Sequence, residues 1–169
     1  METPQARSWV DSRLRTGRFA IEGEGEFADA PIRAGERLKV LGGRLIDDAA
    51  MRRTASSGQR FSALRVAEDR HLLMTWDDPA SRGNHYCDPN AWLESEYVVV
   101  ARRDIAEGEE VTTDYATMTV DPAWKMTCRC GASRCRGEVT GEDWRLPELR
   151  ERYRGHFVPW IERMADAEG

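Results

Sequence analysis

Four cysteines constrain this chain more than any other feature. Cys128, Cys130 and Cys135 form C-x-C-x4-C inside a glycine- and arginine-rich segment, 124–137, that can bury little by itself. Cys87 is the only other cysteine and lies far upstream. Three clustered thiolates and one distant one suit a tetrahedral zinc site with four cysteine ligands, at Zn–S distances of about 2.3 Å. Such a site has no open position, so its role is structural. The ion would pin the 124–137 loop against the segment of Cys87, and its binding energy becomes local folding energy. Buried unpaired cysteines and a disulfide framework are the alternatives. The start METPQARSWVDSRLR lacks the apolar stretch of a secretory signal. The expected setting is therefore intracellular, cytoplasmic or (in a eukaryotic host) nuclear, where thiols stay reduced.

Around the cysteines, short β-type segments alternate with turn chemistry, the pattern of a mostly β domain. GRFAI (17–21) and RLKVL (37–41) read as strands around the turn PIRAGE (31–36). RFSALRV (60–66) and HLLMT (71–75) flank AEDR, the best hairpin signal in the chain. EYVVVARR (96–103) is the strongest strand, and the turn DIAEGE joins it to EVTT. A short helix fits around Asp48–Thr54. From Asp143 onward the residues turn helical, with Pro147 and Pro159 at or near first-turn positions. Leu146, Leu149, Tyr153, Phe157, Trp160 and Met164 recur at helical spacings and read as a packing face.

At 169 residues, 40% hydrophobic and 33% charged, the chain fits one soluble domain with a modest core. No apolar run approaches the roughly 18 residues of a membrane span. The net charge of −5 argues against direct nucleic-acid binding and modestly favours a basic partner.

Two motifs bear on chemistry. GEGEFA (23–28) satisfies G-x-G-x-x-A, and Asp47 and Asp48 follow it. A dinucleotide site needs a helix to start at these glycines, but Pro31 and Gly35 would interrupt one, and Glu24 and Glu26 repel phosphate. A plain β-turn remains, or glycines that let a ligand approach the backbone. GNHYCDPNA (83–91) is dense in polar, turn-forming and ligand-type residues. It reads as a surface loop with turn chemistry or as part of a site. A Cys87–His85 nucleophilic pair would need Cys87 as a free thiolate, and the metal site competes for that sulfur.

Taken in order, four motifs resemble the SET-domain lysine methyltransferases with a post-SET zinc motif. They are GxG at Gly23–Gly25, NHxCxPN at Asn84–Asn90, GEExTxDY at Gly108–Tyr115 and CxCxxxxC at Cys128–Cys135. Arg136–Gly137 after the last cysteine is also family-like, and the resemblance covers roughly residues 15–140. Each motif alone is ordinary; four in this order are specific.

The resemblance implies a mostly β fold of small sheets in which the NHxC segment threads beneath another loop, a rare pseudoknot. It lays out a SET domain over 1–120 (core about 15–116), a post-SET zinc loop over 121–141 and a C-terminal helical extension over 142–169. The implied activity is methyl transfer from S-adenosylmethionine to a lysine of a basic protein, such as a histone, a ribosomal or a DNA-packaging protein. No membrane or direct nucleic-acid partner is expected. Gly23, Glu24, Gly25, Asn84 and His85 match the cofactor cradle, and Cys87 joins Cys128, Cys130 and Cys135 on one zinc ion. Tyr115 matches the catalytic tyrosine, and Thr113 and Phe61 are expected at the lysine pocket.

The chain departs from the family pattern at several positions. Arg82–Gly83 replaces an aromatic–aliphatic pair, Tyr86 replaces a serine, and Leu41 stands where a tyrosine often lines the lysine channel. Thr113 replaces an aromatic residue. These departures bear on the channel lining and the number of methyls added. They keep a rival reading open, a non-catalytic SET-like module that binds peptides or partners.

Overall fold

The computed structural model describes residues 3–18 and 23–168. In chain order its elements are β1 (Trp9–Val10), β2 (Leu14–Arg18), β3 (Glu24–Ala28), β4 (Arg37–Val40), β5 (Arg44–Ile46), α1 (Asp48–Ser56), β6 (Phe61–Ala67) and β7 (Arg70–Thr75). There follow β8 (Asn84–His85), β9 (Ala91–Leu93), β10 (Val98–Ala101), β11 (Glu110–Thr113), a 3-10 turn (Tyr115–Thr117), β12 (Lys125–Thr127) and β13 (Glu138–Thr140). A second 3-10 turn (Asp143–Arg145), α2 (Pro147–Arg152) and α3 (Pro159–Glu168) complete it.

The strands form small sheets in the orders β1-β4-β10-β9, β2-β3-β11-β8, β5-β7-β6 and β12-β13. Among the described residues every pairing is antiparallel except β8 with β11. The β-branched run of β10 lies inside its sheet, and Val99, Val100 and Ala101 are buried in succession, as a strand covered on both faces requires. The hairpin β6–β7 turns at Glu68–Asp69 as its sequence signal indicates. Helix α1 starts where Asp47 accepts the backbone N–H of Ala50 at 2.7 Å, with Asp48 in its first turn and Arg53 in its last. It buries no side chain.

The larger core joins strand residues such as Leu38, Leu64, Val66, Leu72, Val99 and Val111 to Trp144, Leu149, Tyr153, Phe157, Val158, Ile161 and Ala165 of the C-terminal segment. That segment is a packing face, as its periodicity predicts. The face is split between α2 and α3, and it includes Ile161, which the apolar spacing passes over. A second cluster surrounds Cys87, Cys128 and Val139.

Some local expectations are corrected. The strand read at 17–21 begins earlier, at Leu14; Arg18 is its last described residue, and residues 19–21 lie outside the described part. GEGEFA is not a plain turn. Only Gly23 takes a left-handed conformation (φ +71), and β3 starts at Glu24 because β2 and β11 hydrogen-bond to it on either side. No helix among the described residues is long and apolar enough to cross a membrane.

Candidate functional site

The parallel pairing of β8 with β11 brings two of the sequence motifs together. Thr112 lies opposite Asn84 and Thr113 opposite His85. Just beyond β11, the half-buried Tyr115 turns its hydroxyl back to donate to the Gly83 carbonyl at 2.8 Å. Burial pushes the Tyr115 phenol up to about 12, and the carboxylates of Glu110 and Glu26 add to the shift. Tyr115 therefore keeps its proton at neutral pH.

Asn84 is held in one orientation. Its amide nitrogen donates to the Glu24 carbonyl at 3.1 Å and to Glu110 Oε1 at 2.7 Å. Both N–H donors are used, so the amide oxygen is the group left to meet a ligand. Gly25 makes this possible: a Cβ there would lie 2.3 Å from Glu110 Oε1 and 2.8 Å from Asn84 Nδ2. Burial raises the pKa of Glu110, while the bond from Asn84 opposes that rise.

Gly23, Glu24, Asn84, Thr113, Tyr115 and Phe61 line one cavity of about 950 Å³, together with Leu41, Trp76 and Trp124. That volume suits a small molecule and a side chain side by side. Gly25 and His85 are not among its lining residues and act from behind it. The backbone N–H of Tyr115 donates to His85 Nδ1 at 3.1 Å, so Nε2 carries the ring proton and faces Cys87 Sγ at 3.2 Å. Burial pushes the His85 pKa down to about 4, although the nearby Asp114 carboxylate opposes it. The ring is neutral and joins Tyr115 to the sulfur cluster.

The Sγ atoms of Cys87, Cys128, Cys130 and Cys135 lie within 4.8 Å of one another. Bonds of about 2.3 Å to a central ion put tetrahedral sulfurs about 3.8 Å apart. The Cys87–Cys128 and Cys128–Cys135 separations are 3.8 and 3.7 Å, so the residues fit a tetrahedral metal ion. The backbone N–H of Gly137 pulls the Cys135 thiol down to about 7, whereas burial pushes Cys128 up to about 11 and raises Cys87 further. Four thiolates therefore gather most readily with a cation among them.

The group that ties these parts together is not one that the motif spacing singles out. Asp114, 1% exposed, receives both Nη atoms of Arg136 at 2.7 Å, the Tyr153 hydroxyl at 3.2 Å and the backbone N–H of Ala116 at 3.0 Å. Arg136 also reaches Asp143 at 2.8 Å. One carboxylate thus links the cysteine loop and the C-terminal segment to the neighbour of Tyr115. A signal existed, since both Asp114 in TxDY and Arg136 after the last cysteine lie in motifs. Their partnership spans 22 residues, and no local pattern encodes it.

Comparison with known proteins agrees with this geometry. Residues 23–116 match the SET domain family, more than half of the chain, and the chain belongs to that family. Over 139 residues it is 36% identical to the histone-lysine N-methyltransferase, H3 lysine-4 specific, of Cryptococcus neoformans, covering 74% of this chain and 10% of that protein. Over 148 residues it is 37% identical to the histone-lysine N-methyltransferase ash1 of Drosophila melanogaster, covering 77% of this chain and 6% of that protein. The chain thus spans about a tenth or less of these relatives. The methyltransferase domain of human histone-lysine N-methyltransferase SETMAR shares its fold, with a TM-score of 0.59, 16% identity, and coverage of 73% of this chain and 56% of that one.

Proposed function

We propose that the protein is an S-adenosylmethionine-dependent protein-lysine N-methyltransferase, with Tyr115 as its catalytic residue. One observation carries the reading: Gly23, Glu24, Asn84, Thr113, Phe61 and Tyr115, drawn from three separate motifs and the β6 strand, line a single cavity. Gly23, Glu24 and Asn84 would hold the cofactor directly. Gly25 and His85 support them, because Gly25 leaves room for the Asn84–Glu110 bond and His85 anchors the backbone of Tyr115. The cofactor supplies a methyl group already activated on a sulfonium.

The chain's own task is to present a neutral amine in line. A free lysine is neutral about once in 2,500 molecules at pH 7, from its pKa of about 10.4. Removal of the amine from bulk water and the positive charge of the bound cofactor would both favour the neutral form. The Tyr115 hydroxyl donates to Gly83, so its lone pairs are available to accept an N–H of the amine and aim it. Thr113 and Phe61 border that position.

Cys87, Cys128, Cys130 and Cys135 would hold one structural zinc ion that keeps residues 121–141 over the site. Relatives named as histone-lysine methyltransferases support a basic protein such as a histone as substrate, with a ribosomal or DNA-packaging protein as the other candidates. The enzyme would then work inside the cell, in the nucleus where the host has one.

The test is incubation with methyl-labelled cofactor and host-cell extract, followed by mapping of the label. The expected outcome is label on lysine side chains. A chain whose melting temperature shifts with neither S-adenosylmethionine nor S-adenosylhomocysteine, and which labels nothing, would be a non-catalytic module.

A further inference from the structure

We propose that Arg60, stacked on Trp76, reads a carboxylate of the substrate protein: an Asp or Glu close in sequence to the target lysine. This rests on the methyltransferase reading above and names the kind of sequence it acts on. In hairpin β6–β7, Phe61 lies opposite Thr75, so Arg60 and Trp76 form the next cross-strand pair beyond the end of the ladder. The Arg60 guanidinium carbon lies 3.7 Å from the Trp76 ring centroid, and both residues line the cavity beside Phe61.

Arg60 is the spare cation of that lining. Among the described residues, Lys39 is paired with Glu26, Arg82 with Glu24, and Arg65 and His71 with Asp48. Arg60 is exposed and has the Trp76 face but, among the described residues, no carboxylate. Of the lining acids, Glu24 is bound to Arg82, and Asp121 accepts the backbone N–H of Ala123 at 2.9 Å. The net charge of −5 therefore does not describe this lining, where Arg60 is a cation without an acidic partner among the described residues; the exposed Asp77 next to Trp76 lies outside the lining.

Stacking on an indole holds the guanidinium plane while its N–H edge stays open. That is the arrangement that takes a carboxylate through two parallel hydrogen bonds. A lysine or arginine at the same place in the substrate would meet like charge. The enzyme thus selects a lysine with an acidic neighbour, even within a protein that is basic overall. Phe61, the next residue along the strand, lines the same cavity and is the residue expected at the lysine pocket, so Arg60 adjoins the expected substrate end of the site.

The test uses peptides with one target lysine and a single varied position, Glu, Gln or Arg, moved along either side of it. Methyl transfer is measured as kcat/KM. At one position Glu should exceed Arg by roughly three- to tenfold, the scale of a partly exposed charge-assisted pair, with Gln between them. Arg60→Ala should bring the Glu and Gln peptides to the same kcat/KM, and Arg60→Glu should invert the order. A native preference for Arg at every position would overturn the inference, as would a Glu preference that survives in Arg60→Ala. So would a raised KM for S-adenosylmethionine in Arg60→Ala with the peptide preference intact, since Arg60 would then serve the cofactor. If the native protein methylates no peptide and no extract protein, the methyltransferase reading itself fails and this inference falls with it.

Discussion

The Tyr115 hydroxyl donates to the Gly83 carbonyl, and Tyr115→Phe removes that single group while leaving the packed ring in place. Folding and cofactor binding should survive, while the rate falls by a factor of about 10²–10³, the usual cost of losing one transition-state group. Labelled methyl transfer beside a thermal melt measures both. The phenol is raised to about 12 in the folded chain, above its ordinary value of about 10, so any stability this contributes is complete below pH 10 and lost as pH rises from 10 toward 12. Turnover should accordingly climb with pH as the substrate amine loses its proton, with no fall due to Tyr115 below about pH 10; an alkaline limb near 8 in a pH–rate profile would assign that role to another group. Thr113 and Phe61 share the cavity with Tyr115, and threonine is smaller than the tyrosine or phenylalanine common at its position in the family. The pocket should therefore admit a methylated amine that must turn between transfers. Di- or trimethyl-lysine is the expected product, and Thr113→Tyr should shift it toward monomethyl-lysine, read by mass spectrometry at long incubation. Residues of this kind were legible in the sequence because their chemistry sits inside short motifs. The role of Glu110 is not legible in the same way: its effect on Asn84 depends on the bare Cα of Gly25, a contact made only when β3 and β11 lie side by side.

Among the elements, hairpin β6–β7 is readable because its partners adjoin in sequence, whereas the parallel ladder β8–β11 joins segments separated by the strands β9 and β10 and leaves no periodic trace. The pair β12–β13 shows the same limit from another side. Its strands are short, they flank the cysteine loop, and the cluster beside them has Cys87, Cys128 and Val139 as its only buried members among the described residues. Order there should depend on metal. Cys87→Ser is expected to abolish one zinc per chain, measured by elemental analysis, and to open residues 121–141 to protease while the rest stays resistant; a native protein purified without zinc would overturn the four-cysteine assignment. Arg136 supplies the non-metal attachment. Its side chain is 13% exposed and that of Asp114 is 0% exposed, so Arg136→Leu leaves a buried carboxylate without its cation. Such a break costs about 3–5 kcal/mol. Urea unfolding should register that loss, and Asp114→Asn combined with Arg136→Leu should recover part of it, because the uncompensated charge is gone.

Across the whole molecule, the C-terminal segment completes the core. Trp144, Leu149, Tyr153, Phe157, Val158, Ile161 and Ala165 are buried in the same cluster as the strands, and Arg150 donates to the Ala165 carbonyl to brace α2 on α3. Fully burying a large apolar side chain is worth about 1.5–3 kcal/mol. Set against a typical domain stability of about 5–15 kcal/mol, removing this set together exceeds what the remaining chain can spare. The apolar spacing made the docking legible, but its attachment to the site was not. The Tyr153 hydroxyl reaches Asp114, and the backbone N–H of Val158 donates to the Thr117 carbonyl at 2.9 Å, both within a few residues of Tyr115. A chain ending at Gly141 keeps every motif that defines the family match and all four cysteines. It should nevertheless lose cooperative unfolding, near-ultraviolet dichroism and methyl transfer together. Tyr153→Phe in the full chain isolates the polar link: it should preserve the fold and lower turnover modestly through a less well-held Asp114. A truncated chain that melts cooperatively and binds S-adenosylmethionine would show instead that the strands hold their own core, with the C-terminal segment resting upon it.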